Sequence, residues 1–277
     1  MAKATGFIQR QRKFSAFEFV LLMTIGQTSM IHPSLSGMVE AVRSRISRVA
    51  LHLRFTAHAV ECLLACLKMV REYSVRPAVI TPTALDAFKR VHIFDSSSWD
   101  IDPKLKHVLP GSGGGASDAN CKLQAGYEYK SGSLGFFTLT EGIKPDQSYS
   151  SRLVDFVEKG DLMLTDLGYF KLSVFQELTA KGAYFLSKLL IGTTLLNADT
   201  SEKIDLSATL RSFVGNTLEI NVIMGNDKYP VPCRFIGFRA TKQVADARRR
   251  KLRKEAKKKG RIPSKHHLAL CGWTLFV

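Results

Sequence analysis

The sequence lacks the patterns that mark membrane and secreted proteins. No apolar run reaches the roughly 20 residues that a membrane-spanning helix needs. The stretch FEFVLLMTI follows basic residues, as in a signal peptide, but Glu18 interrupts it and no clear small-residue cleavage site follows. We therefore predict an amphipathic helix at this place and no membrane among the partners of the chain.

Cysteine is scarce, and its spacing suits neither a disulfide framework nor a zinc site. The count is five, which is odd, and no CxxC pair occurs. Several of these cysteines lie in apolar runs, which favours reduced core thiols in a cytoplasmic protein. Cys62 and Cys66 are four residues apart on a predicted helix and could share a metal. Because no nearby pair of His or Cys completes a zinc set, core packing is the better interpretation.

The one glycine-rich stretch, GSGGGASDAN at 111–120, does not have the features of a phosphate-binding loop. It lacks the Lys-Ser/Thr pair of a Walker sequence, and no predicted helix begins after it. We interpret it as a mobile turn between strands.

Acidic residues are outnumbered, and the excess of basic residues is uneven. The chain holds 40 Lys and Arg against 24 Asp and Glu, a formal charge of +16. Residues 242–265 alone hold 12 basic and 2 acidic residues, whereas residues 92–241 hold 15 and 17. Such a block predicts a polyanionic partner, with nucleic acid ahead of an anionic membrane. The alternative is a soluble basic protein without such a partner.

The N-terminal third has the pattern of short helices. Plausible N-caps precede each of them, at Ser15, Ser34, Ser47 and Thr56. The clearest helix, TAHAVECLLACLKMVREY, is predicted to bury one apolar face. That face consists of Val60, Leu63, Leu64, Leu67 and Val70.

Arginines cluster near these helix starts, at Arg43, Arg45, Arg48 and Arg54. Short helices, tight connections and arginines are typical of a helix-turn-helix-like DNA-binding region. An ordinary helical subdomain with a solvated basic face fits the same pattern equally well, so both interpretations stay open.

Pro77 and Pro82 break the helical pattern, and strand-like patterns follow them in the sequence. RVHIFDSSSWDI, KLQAGYEYK and LGFFTLTEG read as three successive strands. A short helix closed by Gly160, a strand, a second helix and a further strand follow. The order β-β-β-α-β-α-β predicts a mixed α/β sheet.

Two aspartates directly follow apolar strand residues in this pattern. Asp95 comes after the strand that contains Val91, and Asp166 comes after LML at 162–164. In the predicted order these two strands lie side by side, so the carboxylates would meet. Carboxylates forced together repel unless a cation relieves the repulsion, and Mg²⁺ accepts one or two of them. The alternative is that each aspartate starts a turn or caps a helix.

The motifs FDSS and LTDLGYF together resemble the DDE transposases of bacterial insertion sequences, and the likeness extends over residues 45–277. The resemblance implies a ribonuclease H-like catalytic domain. It also implies that Asp95 and Asp166 are the first two catalytic acids and that Mg²⁺ or Mn²⁺ is the cofactor. The implied activity is metal-dependent hydrolysis of DNA at the element ends and joining of the 3′ ends to target DNA. Double-stranded DNA and a homodimer are the implied partners.

The resemblance also implies the domain organisation. Residues 1–80 are expected to be a helical DNA-binding region, and residues 81–192 the first part of the ribonuclease H-like core. Residues 193–265 fit a β-rich insertion that ends in a basic helix, and residues 266–277 the last core strand.

The basic helix, KQVADARRRKLRKEAKKKGR, has a narrow apolar stripe, so most of its surface is charged. We expect phosphates to neutralise it. The predicted DNA-binding residues are Arg248, Arg249, Arg250, Lys251, Arg253, Lys254, Lys257, Lys258 and Lys259.

The third acid of the family is expected in the pattern Tyr-x-x-Arg-x-x-x-Glu, which occurs nowhere in the chain. We therefore expect a C-terminally truncated transposase that is inactive alone, associated with the nucleoid in the bacterial cytoplasm. Two alternatives are a non-catalytic DNA-binding protein that inhibits an intact relative, and a decayed product without function.

Overall fold

The computed structural model describes residues 1–10, 14–26, 34–42, 46–72, 83–113 and 117–277. The chain divides into two compact units, Met1–Val75 and Arg76–Val277. Among the described residues, no helix combines the length and the apolarity that crossing a bilayer requires.

The described part of the first unit is helical. Its helices are α1 Ala16–Leu21, α2 Leu35–Ala41, α3 Arg48–His52 and α4 Ala57–Glu72, with a π-helical turn at Leu22–Gly26. The four predicted N-caps are confirmed, because each of these side chains accepts a hydrogen bond from the first turn of its helix. A small core forms around Phe7, Phe14, Phe19, Leu22 and Leu51.

The predicted buried face of α4 is wrong except at Leu63, which packs half-buried against the core of this unit. Val60, Leu64 and Val70 are exposed, whereas Ala59 and Cys62 are buried against the core of this unit. Leu63 and Cys66 pack beside Ala59 and Cys62 on the same core. Periodicity favours the more hydrophobic stripe, whereas the fold of this unit buries the stripe that faces its core.

A five-stranded sheet forms the centre of the second unit, and the mixed α/β class is confirmed. Its order is β3-β2-β1-β4-β5. The strands are β1 Val91–Asp100, β2 Asn120–Glu128, β3 Ser133–Glu141, β4 Leu162–Thr165 and β5 Tyr184–Leu186. β1 pairs antiparallel with β2 and parallel with β4, and β4 pairs parallel with β5.

Helices and 3₁₀ turns cover one side of this sheet. α5 Ser150–Leu153 continues into a 3₁₀ turn, Val154–Phe156, and α6 Leu172–Ala180 connects β4 to β5. The fully buried Phe175 and Leu178 of α6 pack with Met163 of β4 in the main core. Gly160 has φ +84°, in the left-handed region, but it does not close the helix as predicted, because the helical segment already ends at Phe156 and Val157 is extended.

A second sheet follows, of order β6-β7-β8-β9. Its strands are β6 Leu195–Asn197, β7 Thr217–Asn226, β8 Tyr229–Arg239 and β9 Trp273–Phe276, and α7 Leu206–Ser212 lies between β6 and β7. β7 and β8 are a long antiparallel hairpin whose buried Val222, Met224, Val231 and Phe235 join the main core.

The predicted basic helix is present as α8 Lys242–Lys258, and α9 Lys265–Leu270 follows it. The terminal strand, β9, was expected in the core sheet but has a different partner. β9 pairs with β8 of the second sheet, and a bridge from Phe276 to Lys188 joins it to the chain just after β5. The antiparallel pairing with β8 brings Trp273 into the core that the second sheet shares with α6.

Candidate active site

Asp95 and Asp166 come together because β1 and β4 run parallel in matched register. The paired residues run from Val91 with Leu162 to Phe94 with Thr165, and the next position on each strand is one of the two aspartates. Neighbouring strands lie about 4.8 Å apart. The two carboxylates therefore occupy adjacent positions at one edge of the sheet.

The position of Asp95 within its strand differs from the prediction. β1 does not end at Asp95 but continues to Asp100, since its pairing with β2 extends that far. Only the parallel pairing with β4 stops at Phe94. Asp95 is thus exposed at the point where β1 loses its partner on one side.

Each carboxylate accepts a hydrogen bond from nearby backbone. Asp166 is the N-cap of the 3₁₀ turn Leu167–Tyr169, and its Oδ1 accepts from Gly168 N at 2.9 Å. Asp95 Oδ1 accepts from Ser96 N at 2.8 Å. The capping interpretation of Asp166 is therefore correct. Each carboxylate uses one oxygen in its backbone hydrogen bond, so its other oxygen remains available to a further partner.

The two aspartates line an open cleft of about 590 Å³. Leu186 of β5, Lys188 just after β5 and Phe276 of β9 also line it. Both aspartates are exposed, and no ion pair to either is found in the part of the chain that the structure describes. A cation or a phosphate from solution can therefore reach them.

The sequence interpretation missed a third acid beside this pair. Asp146 starts a 3₁₀ turn, Asp146–Ser148, after β3. Its Oδ1 accepts from Ser96 Oγ at 2.9 Å and Gln124 Nε2 at 3.0 Å, and lies 3.1 Å from Lys122 Nζ. No local motif surrounds Asp146, because its partners come from β1 and β2, far away in the sequence.

A buried tyrosine completes this network. Tyr169 is 1% exposed, and its hydroxyl donates to Gln124 Oε1. Burial raises the pKa of Tyr169, and the nearby charges of Asp146, Asp95 and Asp166 raise it further. Tyr169 therefore stays a neutral donor at physiological pH.

Asp146 is ionised in spite of its environment. Burial opposes the charge, but hydrogen bonds from Gln124, Ser96 and Lys122 outweigh it and hold the pKa of Asp146 below its ordinary value. The side chain is 22% exposed. A stable negative charge thus lies beside the two exposed aspartates.

The donor set at the cleft fits a hard divalent cation. Mg²⁺ binds through one or two carboxylates and keeps water or phosphate at its other positions. Asp95 and Asp166 provide two such ligands on adjacent strands. In the described residues no group of three His, Cys, Asp or Glu gathers in metal-binding geometry, so a metal held by protein ligands alone would be weakly bound.

The opposite end of the same two strands carries a buried acid of a different kind. Asp161 is completely buried, and Arg90 Nη2 and Nε donate to it at 2.6 and 3.1 Å. Glu158 N donates at 2.8 Å, and His92 Nε2 lies 3.2 Å away. Burial opposes its ionisation, but these contacts hold the pKa of Asp161 below its ordinary value.

The predicted DNA-binding arginines of the first unit are only partly described. Arg48 is exposed, and Arg54 lies over the ring of Phe7 at 6.0 Å. Both lie at α3, where an open cavity of about 720 Å³ is lined by Arg10 and Arg54 among others. Arg43 and Arg45 lie outside the described residues.

The predicted residues of the basic helix fall into two groups. Arg248 donates to Trp273 O at 2.9 Å, and Arg249 to Leu268 O at 3.3 Å, so both hold α8 against β9 and α9. The remaining predicted side chains point to solvent. These exposed residues are Arg250, Lys251, Arg253, Lys254, Lys257, Lys258 and Lys259.

Comparison with known proteins identifies the family. The model of the transposase DDE domain matches residues 86–271. The transposase of insertion sequence element IS231B from Bacillus thuringiensis subsp. berliner is 28% identical over 298 residues, covering 100% of this chain and 62% of the relative. The transposase of IS1151 from Clostridium perfringens is 30% identical over 200 residues, 70% of this chain and 42% of that protein.

Among solved structures, endonuclease V of Ciona intestinalis in complex with DNA is similar over 65% of this chain and 77% of that chain. The TM-score is 0.24 and the identity 14%, a likeness too low to carry an argument. The chain spans 62% of the length of the Bacillus relative. The family model covers well over half of the chain, including both aspartates. This chain belongs to the DDE transposases of bacterial insertion sequences.

Proposed function

We propose that Asp95 and Asp166 hold a divalent metal ion, Mg²⁺ or Mn²⁺, in a centre for hydrolysis and transfer of DNA strands. One observation carries the proposal: the parallel register of β1 and β4 brings two exposed carboxylates to adjacent positions at an open cleft. The strand order β3-β2-β1-β4-β5 supports a ribonuclease H-like core.

The two aspartates have the same role in this proposal. Each offers a free carboxylate oxygen to the cation, while its backbone hydrogen bond fixes the other oxygen. Asp95 and Asp166 would hold the ion where it would supply activation of a nucleophile and stabilisation of the leaving oxygen at a phosphodiester. Lys188, which lines the same cleft, is available to neutralise a phosphate of the bound strand.

Metal titration of the 277-residue chain tests the assignment. Isothermal titration with Mn²⁺ should show weak binding that is lost in Asp166→Asn and in Asp95→Asn, since each change removes a charged ligand. Asp205→Asn is the matched control: Asp205 also caps a helix and accepts from a backbone N–H at 3.0 Å, so this variant should bind Mn²⁺ normally. Unchanged binding by Asp166→Asn would refute the site.

The proposed substrate is double-stranded DNA, at element ends and target, with α8 in contact with the backbone. The outward side of α8, opposite the buried Ala245, carries Arg250, Lys254, Lys257 and Lys258 by helical spacing. Cations in this arrangement contact DNA phosphates. Such contacts position the protein on the duplex but do not depend on the base sequence of the DNA. Arg48, Arg54 and the undescribed Arg43 and Arg45 are the proposed contacts of the helical region.

Salt dependence measures this backbone contact. With about six phosphates neutralised, log affinity against log salt should have a slope near −5, at roughly −0.9 per contact. The triple change of Arg250, Lys254 and Lys257 to Ala should flatten that slope by about 2.7 on the same rule. A triple change of Lys104, Lys106 and Lys203, which are exposed on other elements, removes equal charge and should leave the slope unchanged.

The proposed domains follow from the resemblance and keep its boundaries. Residues 1–80 would bind DNA, residues 81–192 and 266–277 would belong to the catalytic core, and residues 193–265 would form the insertion. We also propose a homodimer on DNA, which sedimentation of the chain with and without a duplex would detect.

A second candidate function is DNA binding without catalysis. It is favoured by the described residues, which gather only two exposed carboxylates at the cleft and no third metal-ligating group. Positioning of metal and substrate supplies much of the barrier reduction in such reactions. We therefore expect no nicking of a cognate end by the purified chain with Mn²⁺, and nicking abolished by Asp95→Ala would exclude this candidate.

A further inference from the structure

Asp146 connects the two segments that carry the proposed metal ligands. It lies after β3, in neither of the strands that bear Asp95 and Asp166. Oδ1 of Asp146 is the common acceptor for Ser96 Oγ at 2.9 Å, Gln124 Nε2 at 3.0 Å and Lys122 Nζ at 3.1 Å.

On the β1 side the connection is short. Ser96 donates its hydroxyl to Asp146 and its backbone N–H to Asp95 Oδ1 at 2.8 Å. Ser96 also pairs with Gln124 of β2 in the sheet. The orientation of Asp95 therefore depends on a serine whose side chain Asp146 holds.

On the β4 side the connection passes through the buried glutamine. Gln124 donates to Asp146 and accepts from the hydroxyl of Tyr169, in the turn that Asp166 caps. The second oxygen of Asp146 faces the same turn. A Cβ placed on Gly168 would lie 3.1 Å from Asp146 Oδ2 and 3.1 Å from Asp166 Oδ1.

The residues next to Asp146 fix it against this turn. Gln147 Nε2 donates to Phe170 O at 2.6 Å, and the buried Ser150 donates its hydroxyl to Tyr169 O at 2.9 Å. The segment after β3 is therefore bonded to the segment after β4 at several points, and Asp146 is the member that also reaches β1.

We propose that Asp146 is a positioning residue that sets the separation and orientation of Asp95 and Asp166 for a divalent cation. The inference rests on the proposed metal site. Outer partners of metal ligands fix ligand geometry, and their loss commonly lowers metal affinity about 10- to 100-fold. Asp146 is not itself a ligand in this proposal, because Oδ1 is already occupied by three donors and Oδ2 faces the turn at Gly168.

Two substitutions separate the position of this side chain from its charge. Asp146→Asn keeps an oxygen that accepts from Ser96 and Gln124, whereas Asp146→Ala removes it. We expect Asp146→Ala to weaken Mn²⁺ binding by about tenfold in isothermal titration, and Asp146→Asn to retain most of the affinity. Asp205→Ala, which removes the cap of α7, controls for a general loss of stability and should bind Mn²⁺ like the parent chain.

Amide hydrogen exchange on the metal-free chain gives a readout that needs no metal. In Asp146→Ala the amides at 94–97 and 166–170 should exchange about tenfold faster or more, because opening these segments loses its restraint. Asp205→Ala should leave both segments unchanged. Should Asp146→Ala not fold, Ser96→Ala removes one bond of the network and should loosen 94–97 alone.

The outcomes distinguish this inference from the metal site on which it rests. Parent-like exchange and Mn²⁺ affinity in folded Asp146→Ala would overturn the positioning role. Loss of binding in Asp146→Asn as complete as in Asp166→Asn would overturn it too, because Asp146 would then act as a ligand. If the parent chain binds no Mn²⁺, the metal site fails, and the exchange at 94–97 and 166–170 still decides whether Asp146 holds the two segments.

Discussion

The acidic residues at the two ends of the β1–β4 pair differ in their burial and in their hydrogen-bond partners. At the end where the parallel strands begin, Asp161 is fully buried and bonded to Arg90, His92 and the Glu158 backbone. At the other end, Asp95 and Asp166 are exposed and accept only from local backbone N–H groups in the described structure. We call these the closed end and the open end.

The acidic residues of the closed end have a structural role, because they are buried and accept several hydrogen bonds. Glu128 has the same character: it is 8% exposed and accepts from Val91 N, Lys130 N and Ser131 N. A buried carboxylate with several donors is satisfied and has no capacity for a ligand. The open-end acids keep that capacity, which is what a metal site requires.

The largest expected effect comes from breaking the closed end. Asp161→Ala leaves His92 and Glu158 N without their acceptor, and it leaves Arg90 only its pair with the largely exposed Glu158. Breaking a buried ion pair costs about 3 kcal/mol or more. Urea unfolding of the 277-residue chain should show this loss of unfolding free energy. Lys89→Ala at the same end removes a largely exposed ion pair with Glu158 and should cost under about 1 kcal/mol. Equal losses in the two variants would contradict the contrast between buried and exposed acids.

Metal should stabilise the protein only through the open end. At a Mn²⁺ concentration about 100 times Kd, binding to the folded state alone adds about 2.7 kcal/mol to the unfolding free energy. We expect this gain in the parent chain and its loss in Asp166→Asn, measured by urea unfolding with and without Mn²⁺. Glu128→Gln, a change at the closed end, should keep the gain. A gain that persists in Asp166→Asn would place the cation elsewhere.

Several features of both ends could be predicted from sequence, because they depend on local pattern. The N-caps, the order of strands and helices and the neighbouring aspartates were all recognisable from residue type and spacing. Asp146, Gln124 and Tyr169 were not, since their hydrogen bonds join residues at least 22 positions apart. Asp161 lies directly before an apolar strand, whereas Asp95 follows one. The residues around Asp161 in the sequence do not indicate that Arg90, 71 positions away, will pair with it.

The length of β1 and the buried face of α4 also depend on tertiary partners. β1 extends past Asp95 because β2 pairs with it as far as Asp100. α4 buries Ala59 and Cys62 instead of Val60 and Leu64 because its neighbours pack on the smaller side chains. Sequence patterns predict where such elements lie, but which residues they pair with or bury depends on the tertiary structure.

Acid should weaken the closed end through Glu128. Burial opposes its charge, but hydrogen bonds from Ser131, Val91 and Lys130 outweigh it and hold the pKa of Glu128 below its ordinary value. A carboxyl with a lowered folded pKa stabilises the protein fully above its unfolded pKa, about 4.3, and loses that contribution as pH falls through the folded value. Glu128→Gln should therefore cost about 1 kcal/mol at pH 7.

The same difference should shrink as pH falls below the unfolded pKa and through the lower folded pKa of Glu128, because the parent side chain then becomes neutral too. Urea unfolding of both proteins from pH 3 to pH 7 measures it. Glu219→Gln is the control, because Glu219 makes an exposed pair with Arg234. A Glu128→Gln difference that does not change with pH would mean that the carboxylate charge contributes nothing at the closed end.

The smallest expected effect is at the open end itself. Asp95→Asn and Asp166→Asn each keep an oxygen that can accept the local N–H, and exposed substitutions usually change stability by less than about 0.5 kcal/mol. Each also relieves repulsion between neighbouring carboxylates, which offsets the lost charge on the cap. Without metal we therefore expect unfolding free energies within about 0.5 kcal/mol of the parent chain. Loss of Mn²⁺ binding with unchanged stability would separate ligands from structural acids, whereas a loss near that of Asp161→Ala would show that the open end is structural too.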